Sequence, residues 1–252
     1  MDVSIVLPAF NCKEMACRNT ARLHGYMTGW SSSFEIIVVD DGSKACERVV
    51  SEGLPASVRV IQLKENQGKG AAVRQGMLAA CGDVRIFTDM DLPYDLAAIK
   101  YTFGLISKKG FHFVAGDRSL PNSQYIHAMP LHRKIASKIF SKLVTLLVIG
   151  GIYDSQCGFK GFSAPLAKAL FPLLTIKRFS FDVEIFYLIL KYNIVICRIP
   201  VRLKDPERST VNLFKHAIPM ACRIMSIPFK WYGGRYQSED MCRLWDKPYW
   251  EE

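Results

Sequence analysis

The sequence predicts an α/β fold, a mostly parallel, doubly wound sheet flanked by helices, and three observations carry that expectation. Short apolar runs alternate with helix-length segments through the first half of the chain. The runs are largely continuous in hydrophobicity, which suits strands covered on both faces. Clusters of Asn, Asp and Gly sit where the runs stop, and in such sheets ligands bind beyond the carboxyl ends of the strands. The length, 252 residues, suits one large domain of this kind and is short for two.

The first strand is Val3–Leu7, an apolar run ended by Pro8, and Cys12 to about Met27 reads as a helix. Glu35–Val39 is a second strand, closed by Asp40-Asp41-Gly42-Ser43. Val58–Leu63 is a third, and the Ala-rich segment Gly70–Ala80 is a helix. Val84–Thr88 is a fourth strand, ended by Asp89-Met90-Asp91, and Phe111–Ala115 is a fifth. Beyond residue 117 the pattern changes. Leu131–Ile149 reads as a basic amphipathic helix, Asp182–Lys191 as a helix, Ile194–Val201 as a strand and Leu213–Ser226 as a second amphipathic helix. The tail from Gly233 mixes aromatic and charged residues without an assignable pattern.

The formal charge of +10 points to an anionic partner. The charge is uneven: Arg118 to Tyr153 contains no Asp or Glu but holds Arg118, Arg133, Lys134, Lys138 and Lys142. Such a segment is a solvated basic face or an anion site. The basic residues follow one helix and a loop with no recognition-module signature, which argues against nucleic acid. No run reaches the roughly 18 apolar residues of a spanning helix, the nearest being Leu143–Ile152, so any membrane role is expected to be peripheral. Met1 leads straight into a strand, so no signal peptide is expected. The eight cysteines, at 12, 17, 46, 81, 157, 197, 222 and 242, show no C-x-x-C spacing and no grouping with His. They read as free thiols of a reducing compartment, mostly core filler.

The strand-end clusters carry the chemistry. Asp89 and Asp91, two residues apart just past a strand, are able to share one hard cation, since Mg²⁺ commonly takes one or two carboxylates plus substrate phosphates. In isolation such a triplet is a weak signal, and its position strengthens it. Asp40 and Asp41 suit a base edge or ribose hydroxyls, or equally a strand-end turn with Ser43 capping a helix. Asn66-Gln67-Gly68-Lys69-Gly70 opens the Ala-rich helix, where glycines, a helix N-terminus and Lys69 favour phosphate. Gly68-x-Gly70 with Val73 also resembles a dinucleotide fingerprint, but that motif belongs after the first strand, and two strands precede it here.

Taken together, Val3-Ser-Ile-Val-Leu-Pro-Ala-Phe-Asn11, Asp40-Asp41-Gly42-Ser43, Asn66-Gln-Gly-Lys-Gly70, Thr88-Asp-Met-Asp91, Gly116-Asp-Arg118 and Asp154-Ser-Gln-Cys-Gly158 occur in the order and rough spacing of a known family. The chain resembles the family 2 glycosyltransferases of the GT-A (Rossmann-like) fold over residues 2–215. Within them it resembles the polyprenyl-phosphate branch, the dolichyl-phosphate glucosyl- and mannosyltransferases and their bacterial undecaprenyl-phosphate relatives.

The resemblance implies an inverting transfer of a hexose from a nucleotide-sugar donor, with UDP-glucose the first expectation, to a polyprenyl-phosphate acceptor. Pro8, Phe10, Asn11, Asp40, Asp41, Gly42, Lys69, Asp89 and Met90 would form the nucleotide-sugar pocket. Asp89 and Asp91 would hold Mg²⁺ or Mn²⁺. Arg118, Arg133 and Ser137, with Arg202 and Ser209 from a closing loop, would bind the acceptor phosphate. Asp154, Gln156 and Asp91 would be the catalytic set, with Asp154 either orienting the sugar or acting as a base. Residues 1–212 would be the catalytic domain and 213–252 an amphipathic membrane-interface helix and tail, at the cytoplasmic face of a membrane and with room for a membrane-protein partner. Two positions depart from the family pattern: Cys12 stands where Glu often follows Asn11, and Pro93 where some members have a metal-binding Gln. The alternatives are a soluble family 2 enzyme acting on a saccharide or protein hydroxyl, for which Asp154 would serve as base, and a non-catalytic nucleotide-binding or membrane-surface module.

Overall fold

A computed structural model of the chain describes residues 1–30, 32–125, 154–203 and 213–245. The expected helix at 131–149 and the candidates Arg133, Ser137 and Ser209 lie outside these residues.

Strand β1 (Val3–Ala9) pairs in parallel with β2 (Phe34–Asp40) and with β4 (Val84–Phe87), and β2 pairs in parallel with β3 (Val58–Gln62). An antiparallel strand, β7 (Lys160–Ser163), lies between β4 and β5 (Phe113–Asp117). Strand β8 (Ile196–Pro200) closes the sheet parallel to β5. The seven strands run in the order β3-β2-β1-β4-β7-β5-β8. A small second sheet pairs β6 (Gln124–Tyr125) with β9 (Arg202–Leu203). Chain order reverses between β1 and β4, so their carboxyl ends open onto the crevice that binds ligands in doubly wound sheets. Because β7 runs the other way, its amino end brings the turn 154–159 to that same edge.

Successive strand residues serve opposite faces. Ile5, Leu7, Ile36, Val38, Ile86 and Val114 share a core with helices α1 (Lys13–Thr28) and α3 (Ala97–Ser107). Val6, Ile37, Val39, Phe87 and Phe113 share the other with α2 (Lys69–Ala79), α4 (Ala164–Leu170) and α5 (Phe181–Lys191). Each fully buried side chain of this kind contributes about 1.5–3 kcal/mol relative to exposure, which makes the sheet a rigid floor for the strand-end loops.

The segment from residue 213 joins the second core. Helix α6 (Leu213–Tyr232) buries Ile224 and Ile227, and Tyr236 and Met241 of the tail and α7 (Glu239–Trp245) are also fully buried. Tyr236 stands between polar residues, and Met241 and the partly buried Leu244 of α7 pack on the same core. Tyr236 Oη donates to buried Glu184 Oε1 at 2.5 Å, and the same carboxylate accepts from the Thr175 and Ile176 amides. On the outer side of α6, Met225, Phe229 and Tyr232 are 43, 76 and 80% exposed.

Two expectations change. The cysteines are free, but they are not mostly core filler: Cys157 is buried while Cys17, Cys46, Cys81, Cys222 and Cys242 are exposed on outward helix faces and loops. Ser43 caps no helix, because only a single 3-10 turn, Ala45–Glu47, comes after it, and its hydroxyl accepts from the Asn11 amide instead. Helices α3 and α4 and strand β7 stand outside the elements expected from sequence; β7 is four residues long, opens on the buried Lys160 and contains Gly161, so it shows no apolar run.

Candidate active site

The site is assembled from loops at one sheet edge, and polar side chains brace those loops to one another. At the end of β1, Asn11 takes a left-handed conformation (φ 48°); its amide donates to Ser43 Oγ at 2.8 Å and its Oδ1 accepts from the Lys44 amide at 3.0 Å. Asp40 accepts from the Ser43 and Val49 amides, both at 2.9 Å. Asp41 accepts from the Gln67 and Gly68 amides, both at 2.8 Å. Both carboxylates are buried, so in this state they hold the 41–49 and 66–68 loops in place rather than stand open to a ligand. Burial lifts the Asp41 carboxyl above its ordinary range despite the two amide bonds that oppose the shift. Phe10, 46% exposed, offers a stacking surface beside half-buried Pro8.

Beyond β4 the chain turns sharply. The Leu92 amide donates to the Asp89 carbonyl at 3.0 Å, and Leu92 sits at φ 45° although buried. A non-glycine residue there costs about 1–2 kcal/mol, a strain held by the surrounding packing. Asn19 on α1 donates Nδ2 to the Met90 carbonyl at 2.9 Å, and the Met90 side chain is buried in the core. Met90 thus anchors the turn through its carbonyl and its buried side chain.

Lys69, the first residue of α2, forms an ion pair with Asp89. Burial works against its charge, and the Asp89 and Asp182 carboxylates more than offset this, leaving its pKa raised. On the other side, Gly158 packs so closely that a Cβ there would collide with the Asp89 carboxylate. Its amide donates to Tyr94 Oη at 3.2 Å, and burial pushes the Tyr94 hydroxyl well above its usual pKa.

The 154–158 turn also reaches the arginine expected at the acceptor phosphate. Asp154 accepts from Arg118 Nε and from the Arg118 amide at 2.8 Å, and from Nη2 at 2.7 Å. Burial alone would raise the Asp154 carboxyl; the bonds and charge of Arg118 outweigh it and hold the pKa below the ordinary range. The Gln156 Nε2 is buried with no hydrogen-bond partner among the described residues. Arg202 lies exposed on β9, with its carbonyl accepting from the Asp95 amide.

The turn is fixed from below by Lys160. This lysine is fully buried, donates to the Cys157 carbonyl at 2.7 Å and pairs with Asp182 Oδ1 at 2.5 Å. Its ammonium also lies 5.4 and 5.5 Å from the Phe87 and Phe186 ring centres.

Of the residues read from sequence, the structure joins Asn11 to the Ser43 loop, Asp41 to the Lys69 loop, Lys69 to Asp89, Asp89 to Gly158, and Arg118 to Asp154. Tyr94, Asn19, Lys160 and Asp182 are site residues that the sequence did not single out. Nothing in the sequence signals that Lys160 and Asp182, 22 residues apart, meet.

Among the described residues no group of three or more His, Cys, Asp or Glu side chains is placed to hold a metal. The available protein donors are therefore the two carboxylates. They suit a hard cation that completes its shell with water and substrate phosphate, and a cation, the Lys69 ammonium, already rests on Asp89.

The match to the glycosyl transferase family 2 model spans residues 4–171. The chain is 37% identical over 211 residues to a dolichyl-phosphate beta-glucosyltransferase of Dictyostelium discoideum, covering 80% of this chain and 64% of that protein. It is 30% identical over 252 residues to the Drosophila melanogaster enzyme of the same name, covering 94% of this chain and 77% of that one. The structure superposes on mannosyl-3-phosphoglycerate synthase from Rubrobacter xylanophilus with a TM-score of 0.66 at 16% identity, covering 94% of this chain and 76% of that one. It also superposes on Mycobacterium tuberculosis glucosyl-3-phosphoglycerate synthase, solved with Mn²⁺, UDP and glucosyl-3-phosphoglycerate, with a TM-score of 0.64 at 15% identity over 92% of this chain and 80% of that one. The expected GT-A architecture is the one observed, and the chain belongs to glycosyltransferase family 2.

Proposed function

We propose that this chain transfers glucose from UDP-glucose to a polyprenyl phosphate, with inversion, at a membrane surface. The observation that carries the reading is the arrangement around Gly158: Asp89, paired with Lys69, packs against Gly158, and Arg118 is bound to Asp154 at the start of the same turn. A site suited to a leaving diphosphate would then stand beside one suited to an attacking phosphate. The relatives named dolichyl-phosphate beta-glucosyltransferase support the choice of sugar and acceptor.

Asp89 and Asp91 would hold Mg²⁺ or Mn²⁺, whose contribution is to neutralise the charge of the departing diphosphate. Lys69 adds a second positive charge on the donor side. Arg118 presents a planar fork suited to phosphate, and Asp154 sets its orientation. A phosphate acceptor is anionic at neutral pH, so the reaction asks for alignment and charge neutralisation more than for a base. Asp154 fits that demand: its oxygens are committed to Arg118 and its pKa is depressed, which makes it a poor proton acceptor. This favours orientation over the base that a hydroxyl acceptor would need.

Among the described residues no helix is long and apolar enough to cross a membrane. We assign membrane contact to the 213–252 segment, where Met225, Phe229 and Tyr232 form an exposed apolar stripe opposite the buried Ile224 and Ile227. One interfacial helix anchors weakly, so the basic 131–149 segment or a membrane-protein partner would add a second attachment. The protein would then be peripheral, at the cytoplasmic face.

The test is a screen of nucleotide-sugars against a short polyprenyl phosphate, with and without Mn²⁺. Glucose transfer from the UDP donor that depends on Mn²⁺ is expected. Transfer to a saccharide hydroxyl with the lipid phosphate inert would overturn the acceptor assignment.

A further inference from the structure

The loop 66–70, which the sequence marks as a cradle for phosphate, has much of its backbone already committed. The Gln67 and Gly68 amides donate to Asp41, both at 2.8 Å, and the Ala71 amide donates to the Lys177 carbonyl at 3.0 Å. The absent side chain of Gly68 does not make room for a ligand either. A Cβ there would stand 2.6 Å from the Lys177 carbonyl oxygen and 2.7 Å from Arg178 Cγ, on a backbone at φ 105° that suits glycine. The space at Gly68 is taken by the 177–178 segment, and the stem of Arg178 lies over it.

That segment is fixed on both sides. The Thr175 and Ile176 amides donate to buried Glu184 at 3.0 and 2.9 Å, and the Phe181 amide donates to the Arg178 carbonyl at 3.1 Å. Lys69, Lys177 and Arg178 therefore gather at one loop. Lys69 is paired with Asp89, and Lys177 Nζ donates to Gln67 Oε1 at 3.3 Å. Arg178 is exposed and, among the described residues, forms no hydrogen bond and no ion pair. With these amides committed, recognition of an anion at the loop falls to side chains. A guanidinium is suited to that task, because its planar fork meets two phosphate oxygens at once. Its fixed backbone also reduces the freedom lost on binding.

We propose that Arg178 is a further donor-binding residue, whose guanidinium takes the diphosphate of the nucleotide-sugar and supplies, with Lys69, the charge that the amides of the loop do not. This deepens the donor reading of the Lys69 loop and rests on it.

The test follows UDP binding to the full chain by calorimetry in the presence of Mn²⁺. Arg178→Ala weakens UDP binding about tenfold, the scale of one charge-assisted hydrogen bond at an exposed site. Uridine carries no phosphate, so it binds variant and wild type alike, as read by saturation-transfer NMR, which detects weak ligands. The difference in UDP affinity narrows as salt is raised, and Arg178→Lys retains part of the affinity. Lys177→Met, whose native ammonium rests on Gln67, loses less than about twofold, the effect of one screened surface charge. Arg178→Ala melts within about 2 °C of the wild type, because the side chain it removes is exposed. Unchanged UDP affinity in Arg178→Ala overturns the proposal. So does an equal loss of UDP and uridine binding, the mark of a residue that only shapes the pocket. A loss in Lys177→Met as large as that in Arg178→Ala overturns it too, since it reports a diffuse field rather than a contact. The two readings fail separately: if Lys69→Met weakens UDP binding and Arg178→Ala does not, this inference alone falls. If neither variant alters it, the loop is not the donor site and both fall.

Discussion

Replacing Asp154 by Asn separates two accounts of the site. The carboxylate accepts three bonds from Arg118, at 2.8, 2.8 and 2.7 Å, two of them from the guanidinium. The Asp154 side chain is 10% exposed and that of Arg118 27%. Breaking a fully buried pair by removing one partner costs about 3–5 kcal/mol. The residual exposure of Arg118 lets water recover part of that, which brings the expected loss to about 2–3 kcal/mol. For a chain of this size about 1 kcal/mol corresponds to about 2–4 °C, so the melting temperature should fall by about 4–12 °C. The pH dependence comes from the depressed pKa of Asp154. A carboxyl whose folded pKa lies below its unfolded value stabilises the protein above the unfolded value, about 4. That contribution is lost as pH falls from there through the folded pKa. The wild type should therefore lose this part of its stability below about pH 4, and Asp154→Asn should lack that component of the titration. In kinetics, a misplaced Arg118 raises the KM for polyprenyl phosphate and leaves donor binding near normal. The orienting role is refuted if Asp154→Asn melts with the wild type, or if it lowers kcat alone while the wild-type rate shows an acid limb from a titrating carboxylate.

Three further outcomes are expected. Asp91→Asn should abolish transfer and its stimulation by Mn²⁺, measured with labelled nucleotide-sugar; retained metal-dependent turnover would remove Asp91 from the metal pair. Phe229→Glu with Met225→Glu should release the protein from anionic vesicles in a sedimentation assay and change unfolding free energy by less than about 0.5 kcal/mol, because both side chains are already exposed. Tyr236→Phe removes the bond to buried Glu184 and should cost about 1–3 kcal/mol in urea denaturation; a wild-type midpoint would mean that the tail does not secure this core.

Much of the floor of the site was legible in the chain itself. β1, β2 and β4 are sandwiched between helices on both faces, so largely apolar runs at 3–7, 35–39 and 84–88 betrayed them within a residue or two. The acidic clusters stood out because polar residues directly after such runs land at the sheet edge whatever the register. Asp89 and Asp91 needed no partner to be noticed. Arg118 was noticed through its acid-free surroundings, and its true neighbour, Asp154, lies 36 residues away.

The alternation of elements, the edge at which chemistry gathers and the residue types available there could all be read from the chain alone. They depend on hydrophobic patterning and on local turn chemistry, both of which act over a few residues. Who meets whom was settled only by packing in three dimensions. The antiparallel insertion of β7 between β4 and β5 brings Gly158 against Asp89 and Lys160 against Asp182. The packing of α5 on the start of α2 brings Phe181 against Gly70, and the return of the tail buries Tyr236 on Glu184. Each of these contacts joins groups far apart in the chain, and their pairing is set by where rigid layers pack, which no local pattern records.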